Sequence, residues 1–184
     1  TVGWSGSIEG YAFADCTSLT DVQLAGSYKK RGYCLFSGCT SLKNLTIPEG
    51  VTSLGYYLIR GTAINSITIP STVTESGLNG GVNGASNGAL AGCTTLKEVI
   101  FAQGAITIPA YICASGSQTS YIERIIIPES VREIGYRAFY ECASLKDVYY
   151  SGSESQWNLI SIGTGNDTLL NATIHYNSDS PDPI

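Results

Sequence analysis

Apolar residues recur along the chain in one pattern, L-x-x-V-x-L, in which the first, fourth and sixth positions are apolar. The six copies begin at Leu19, Leu42, Ile64, Leu96, Ile122 and Leu145. Successive side chains of a β-strand point to opposite faces, so the fourth and sixth positions share one face while the third and fifth share the other. The pattern predicts six strands whose first, fourth and sixth positions point into a core.

The six copies are spaced like the units of a repeat protein. Their first positions are 23, 22, 32, 26 and 23 residues apart, and the long step contains an insertion at 75–88, ESGLNGGVNGASNG. Two further phrases recur between the strands, Ile-Pro followed by Val-Thr, and Ala-Phe ahead of a cysteine. A unit of this size cannot bury its apolar face alone, whereas stacked units share one continuous core. The repeat predicts a solenoid of six coils over residues 1–150.

These phrases resemble the BspA-like (treponemal-type) leucine-rich repeat, whose unit reads IGxxAFxxCxSLxxIxIPxxVTxIG. Residues 134–145, IGYRAFYECASL, follow that unit almost throughout, and the resemblance extends over residues 8–150. It implies a right-handed leucine-rich-repeat solenoid, with a parallel β-sheet on the concave side and short helical or 3-10 turns on the convex side. Members of the family are mostly exported proteins of gut and oral bacteria, and many of them act in adhesion.

The C-terminal part of the chain departs from the repeat. Residues 151–177 are expected to form a cap, with a capped helix in 153–160, a strand in 172–176 and Trp157 as the plug over the last coil. Residues 178–184, SDSPDPI, have the composition of a polar linker to a neighbouring domain of the same polypeptide. Within the coils, Gly55 and Gly135 are expected at tight corners that use a positive φ.

Composition excludes several classes of function. The chain of 184 residues is 43% hydrophobic and only 14% charged, with a net charge of −5 and ten scattered Lys and Arg residues. Nucleic acids and anionic membranes need clustered positive charge, and a membrane span needs a longer apolar run than any here. The sequence has neither a methionine nor a signal-peptide pattern, which we interpret as a fragment of a longer exported protein.

The six cysteines are compatible with a disulfide framework, a zinc site or buried thiols. Cys16, Cys39, Cys93 and Cys142 share one repeat position, which favours an inward-facing ladder of free thiols. Parallel strands lie about 4.8 Å apart, so only the adjacent pair Cys16 and Cys39 could form a bridge. No Cys/His cluster has the spacing of zinc ligands, and neither a metal nor a cofactor is expected.

Catalytic signatures are sparse. His175 is the only histidine, no Gly-x-Ser-x-Gly or comparable nucleophile motif occurs, and the acidic residues are spread singly. We therefore do not expect an enzyme. The repeated Asn-Gly pairs at 79–80, 83–84 and 87–88 form a polar loop, which either contacts a ligand or is simply mobile.

The outward strand positions carry the functional hypothesis. The third positions are Asp21, Asn44, Ser66, Glu98, Arg124 and Asp147, and the fifth positions are Gln23, Thr46, Thr68, Ile100, Ile126 and Tyr149. An apolar stripe with a polar rim is typical of a recognition surface, although β-branched residues also simply suit a strand. We expect Ile100, Ile126 and Tyr149 to form the centre of a ligand contact, with Glu98 and Arg124 as its rim.

Together these features favour a non-catalytic, extracellular adhesion module at the cell surface, which presents its concave sheet to a host or microbial surface protein or to a glycan. Two alternatives stay open. One is a rigid spacer within a larger secreted protein. The other is an accessory binding domain of a polysaccharide-degrading enzyme system.

Overall fold

A computed structural model describes residues 2–3, 9–25, 32–77, 87–116 and 119–179, which wind into a solenoid of parallel strands with little helix. In chain order the strands are β1 (Val2–Gly3), β2 (Asp21–Ala25), β3 (Asn44–Thr46), β4 (Ser53–Leu54), β5 (Ser66–Ile69), β6 (Glu75–Ser76), β7 (Glu98–Phe101), β8 (Thr107–Ile108), β9 (Arg124–Ile127), β10 (Glu133–Ile134), β11 (Asp147–Tyr150), β12 (Ser161–Ile162) and β13 (Thr173–Tyr176). Two short helices are α1 (Glu154–Trp157) and α2 (Asp167–Leu170).

The main sheet consists of the six predicted strands, each of which begins two residues after the first apolar position of its repeat. They are β2, β3, β5, β7, β9 and β11, and β1 and β13 extend the row at its two ends. The fourth and sixth positions point inward as predicted: Val99, Ile125 and Ile127 are all completely buried. Their side chains belong to one continuous hydrophobic core that runs through the stacked coils.

A second row of two-residue strands lies on the other side of the coils. β4 pairs with β6, and β10 pairs with both β8 and β12, in each case in parallel register. The sequence predicted helical or 3-10 turns on this side, and that detail differs. Because the extended residues find partners on neighbouring coils, their amides and carbonyls bond between coils rather than within a helix. Both described helices lie within the last thirty or so residues of the chain.

The tight turns between the two rows use positive φ values at non-glycine residues, for example Arg137 (φ 50°) and Glu141 (φ 58°). Gly55 and Gly135 were predicted at such positions, and that prediction is wrong. Neither glycine has a positive φ; both are needed because the adjacent coil passes too closely for a side chain. A Cβ at Gly55 would lie 2.1 Å from the carbonyl oxygen of Gly32, and one at Gly135 would lie 2.4 Å from the amide nitrogen of Ala110.

The main sheet is interrupted at one step. β1, β2 and β3 form one ladder and β5, β7, β9, β11 and β13 form another, so no ladder joins β3 to β5. The turn that enters β5 is shorter than its counterparts: Gly61 precedes the first apolar position, Ile64, by three residues, whereas Gly38 precedes Leu42 by four. The shorter turn thus stands at the one step of the main sheet where the ladder is interrupted.

The C-terminal segment closes the last coil. Ser153 caps α1 through a capping box with Gln156, and Trp157 is only 5% exposed, its ring centroid 5.2 Å from that of Tyr150. The helix predicted within 153–160, the strand predicted in 172–176 and the buried position of Trp157 are thereby confirmed. α2, which was not predicted, buries Leu169 completely. The insertion residues 78–86 and the linker residues 180–184 lie outside the described residues.

Candidate functional site

The candidate site is the outward face of the main sheet, where register brings the predicted residues into two rows. In the third-position row, Ser66 pairs with Glu98, Glu98 with Arg124, Arg124 with Asp147 and Asp147 with Thr173. In the fifth-position row, Thr68 pairs with Ile100, Ile100 with Ile126, Ile126 with Tyr149 and Tyr149 with His175. Each step is one strand spacing, about 4.8 Å.

The apolar part of the fifth-position row is partly exposed. Ile100, Ile126 and Tyr149 are half-buried side chains, open to solvent on the concave face. His175 continues the row, because its ring stacks on Tyr149 with centroids 4.6 Å apart and planes 11° from parallel. The sequence placed His175 on a closing strand but did not place it in the row, which requires knowing that β13 pairs in register with β11.

Charged groups border this row on its third-position side. Glu98 accepts one hydrogen bond from Ser66 Oγ (3.1 Å) and another from Arg124 Nε (3.2 Å). The Arg124 side chain is 38% exposed, so it retains donors that face solvent. At the far end, His175 Nε2 lies 2.8 Å from Asp147 Oδ1. Exposed pairs of this kind add little stability, but they fix where charge is presented to a ligand.

One position before the third-position row, Lys97 and Glu123 form a further ion pair, with 2.7 Å between Nζ and Oε1. The hydrogen bond from Lys97, together with its charge, lowers the pKa of Glu123. Lys97 also lies over the ring of Tyr121 at 5.4 Å. The rim of the apolar row therefore has both signs of charge, which suits neither a polyanion nor a polycation.

The first coils present a polar surface instead. Asn44 Nδ2 donates to Asp21 Oδ1 at 2.5 Å, and this hydrogen bond lowers the pKa of Asp21. Where the ladder is interrupted between β3 and β5, an open cavity of about 320 Å³ is lined by residues 44–47 and 66–68. No feature of the sequence indicated this cavity.

The cysteines form buried free thiols rather than a reactive site. Cys34, Cys39, Cys93, Cys113 and Cys142 are buried and free. Burial raises the pKa of Cys142 to about 12 and that of Cys113 well above its ordinary value, so neither thiol is ionised at neutral pH. Cys16 was predicted to be buried in the same ladder, and this is wrong, because it is exposed.

Other kinds of site find little support in the described residues. No group of three His, Cys, Asp or Glu side chains is placed there to hold a metal ion. Likewise, no described helix is long and apolar enough to cross a membrane. Of the three Asn-Gly pairs in the insertion, only Asn87-Gly88 is described, and the carbonyl of Gly88 accepts a hydrogen bond from the amide of Tyr57 as part of an ordinary coil turn.

Comparison with known proteins agrees with this architecture. The family model of the BspA type leucine rich repeat region matches residues 6–80 and 78–165, with six copies. A leucine-rich repeat protein of T. pallidum, TpLRR, is 16% identical, with a TM-score of 0.55 over 94% of this chain and 79% of that one. No curated protein matches the sequence.

Two other solved structures are more distant in shape. A leucine-rich cell surface protein of Faecalibacterium prausnitzii A2-165 is 23% identical over 83% of this chain and 65% of its own, with a TM-score of 0.37. A leucine-rich repeat protein of Bacteroides ovatus is 20% identical over 92% of this chain and 53% of its own, with a TM-score of 0.39. The chain thus spans less than two thirds of the length of either protein. At these identities the likeness concerns the fold alone.

Proposed function

Since the chain belongs to the BspA-type leucine-rich repeat family, a family that is generally non-catalytic, we propose that it is a binding module that displays its concave sheet to a partner outside the cell. The resemblance to a family whose members are mostly exported supports this extracellular setting. The partner class that fits best is a surface protein of a host or of another microbe.

One observation carries the proposal: three partly exposed apolar side chains lie on one line across neighbouring strands, inside a rim of charged and polar groups. Ile100, Ile126 and Tyr149 supply the apolar line, and His175 lengthens it by one strand. Interfaces typically combine an apolar centre, often aromatic, with a polar rim. Here Glu98 and Arg124 provide that rim and would orient the partner.

The rigidity of the sheet supports the same role. Strand pairing sets the spacing of the row. Within each strand, the fourth-position residue between the two outward positions is buried, and Val99 and Ile125 are completely so. A preformed surface loses little conformational freedom when it binds, so more of the contact energy is retained as affinity. The rod-like stack also suits the alternative of an inert spacer, in which case no ligand would bind the concave face.

The first prediction tests the apolar row. We expect the double variant Ile126→Ser/Tyr149→Ser to fold almost normally, because neither side chain belongs to the core. The same variant should weaken binding of a captured partner more than about tenfold, or about 1.4 kcal/mol. The measurement is surface plasmon resonance with the partner recovered by the wild-type domain from host surface proteins, alongside circular dichroism.

A matched control removes the same kind of side chain elsewhere. Ile106 is 56% exposed and lies outside the main sheet, directly before β8. The variant Ile106→Ser should bind as wild type does. Unchanged affinity in the double variant would place recognition elsewhere, and a complete lack of ligands among host proteins and glycans would favour the spacer.

A further inference from the structure

The interrupted step between β3 and β5 leaves main-chain groups without their ladder partners. At the steps on either side, two successive amides share one carbonyl: those of Lys43 and Asn44 donate to Thr20, and those of Lys97 and Glu98 donate to Asn65. At the interrupted step, the corresponding amides of Asn65 and Ser66 make no such hydrogen bond to Lys43 within the described residues. The main-chain edges of β3 and β5 thus face each other unlinked.

The interruption is local, because the same two coils are bonded elsewhere. Just before the interrupted step along the chain, the amide of Ala63 donates to the carbonyl of Leu42 at 2.9 Å. On the other side of the coils, β4 and β6 pair in register. The two coils are therefore joined on both sides of the interrupted step.

The width of this opening limits what can enter it. Cα atoms of β3 and β5 come within 8 Å of each other. Inserting a peptide strand between them would require two strand spacings, about 9.6 Å. A peptide main chain therefore does not fit between the two strands, and a ligand would have to reach them from the open cavity on the outward face.

The chemistry of the lining limits the ligand further. The lining residues 44–47 and 66–68 include no charged and no aromatic side chain. Thr46 and Thr68 are exposed, and within the described residues neither hydroxyl has a hydrogen-bond partner. The carboxylates of Asp21 and Glu98 flank the opening through Asn44 and Ser66, which disfavours an anionic ligand.

We propose that this opening is a binding site for a neutral sugar unit, whose hydroxyl groups bridge the unlinked main-chain edges of β3 and β5 and contact Thr46 and Thr68. A hydroxyl both donates and accepts, so it can satisfy an amide on one strand and a carbonyl on the other. The cavity of about 320 Å³ is close to the lower end of the range for small-molecule sites. The site adjoins the apolar row, since Thr68 pairs with Ile100, but it includes none of the three apolar side chains and does not depend on the proposed function.

The second prediction tests this site by amide NMR titration with glucose, galactose, mannose and N-acetylglucosamine, each free and as a β-linked disaccharide. We expect at least one of them to shift the amides of residues 45–47 and 66–68, with a Kd of about 1 mM or below. Glucuronic acid, which is negatively charged, should bind more weakly than glucose. If no sugar in the panel shifts these amides, or if the shifts fall elsewhere, the proposal is wrong.

Two variants separate a true site from a chance contact. Thr46→Val/Thr68→Val keeps both side-chain shapes and removes both hydroxyls, and each lost hydrogen bond should weaken binding about fivefold. Inserting one serine between Thr62 and Ala63 restores the four-residue turn of the other coils. That insertion should close the ladder, protect the amides of β5 from hydrogen exchange and abolish sugar binding.

If the insertion variant fails to fold, the double variant Thr46→Val/Thr68→Val still tests the proposal, because it is a conservative change that should fold. Wild-type affinity in that pair, or retained binding in a folded insertion variant, would overturn the proposal. Ile126→Ser should bind the sugar unchanged. A loss in that variant would place the sugar on the apolar row and would overturn the proposed site without affecting the proposed function.

Discussion

At the scale of single residues, glycines occur in this fold for two different reasons, a positive φ or a close approach of the neighbouring backbone. Gly61 has a φ of +67°, but a Cβ there would meet no atom closer than 3.9 Å. The equivalent turn position of other coils carries Asp15 or Glu141, which also have positive φ, so a side chain is tolerated there. Gly135 is the opposite case, because a Cβ would press against the backbone of Ala110.

The third prediction follows from this difference. Gly135→Ala should lower the free energy of unfolding by about 3 kcal/mol, since backbone atoms of the neighbouring coil must move to make room. Gly61→Ala, the matched control, should lower it by about 1 kcal/mol, the strain of one left-handed residue. Urea denaturation followed by circular dichroism measures both. Equal losses, or a larger loss in Gly61→Ala, would contradict the prediction.

At the scale of elements, the sequence predicted the strands that repeat a clear alternation and missed those that are too short to show one. The strands beginning at Asp21, Asn44 and Glu98 were predicted because buried and exposed positions alternate over several residues. Strands such as Glu133–Ile134 have two residues, and two residues carry no period. What makes them strands is pairing between coils, which is decided by the stack and not by the local sequence.

The cap helix is an element that local sequence does determine. In α1, Ser153 Oγ accepts from the amide of Gln156 at 3.3 Å, while Gln156 Oε1 accepts from the amide of Ser153 at 2.8 Å. This reciprocal pair satisfies two amides that a helix of one turn would otherwise leave open. Trp157 is then buried in the core, with its ring against that of Tyr150.

The fourth prediction concerns this capping box. Ser153→Ala should destabilise the cap by about 1 kcal/mol, because it removes the acceptor of the Gln156 amide. Ser155 lies two residues after Ser153 and is exposed. The matched control Ser155→Ala should change the free energy of unfolding by less than about 0.5 kcal/mol. Native-state hydrogen exchange at the amides of Trp157 and Asn158 reports the difference. Equal exchange in the two variants would show that packing of Trp157 alone holds the helix.

At the scale of the whole molecule, stability comes from stacking and from coil-to-coil hydrogen bonds, with no disulfide among the described residues. Four of the buried thiols, those of Cys39, Cys93, Cys113 and Cys142, belong to the core, and three of these donate to the preceding coil. Cys39 Sγ donates to Phe13, Cys93 Sγ to Ile64 and Cys142 Sγ to Cys113, each to a main-chain carbonyl. The thiols therefore act as small polarizable core groups.

The fifth prediction follows from the observation that all six cysteines are free thiols. Titration of the denatured, unreduced protein should find at least four reactive groups, and the melting temperature should not change when a reductant is added. Two or fewer reactive groups would show that disulfides form. The pair Cys16 and Cys39 would then be the first to examine, since only they occupy the same repeat position on adjacent coils.

The candidate site was predictable where it depends on register alone. Once the strands beginning at Glu98, Arg124 and Asp147 are aligned by their repeat, Ile100, Ile126 and Tyr149 must fall on one line. The position of His175 in this row could not be predicted, because β13 joins the sheet after a segment with no repeat pattern. The opening between β3 and β5 could not be predicted either, because β3 and β5 follow the same apolar pattern as the strands that do pair.

The interrupted ladder has a consequence when the molecule is pulled along its axis. Hydrogen bonds between coils run along that axis, so a tensile load opens the stack coil by coil, and each released coil of 23 residues adds about 80 Å of chain. At the step between β3 and β5 the main sheet contributes no ladder to that resistance. The load there falls on the turn hydrogen bonds and on the pairing of β4 with β6, so tension would reach the two sides of this coil boundary unequally.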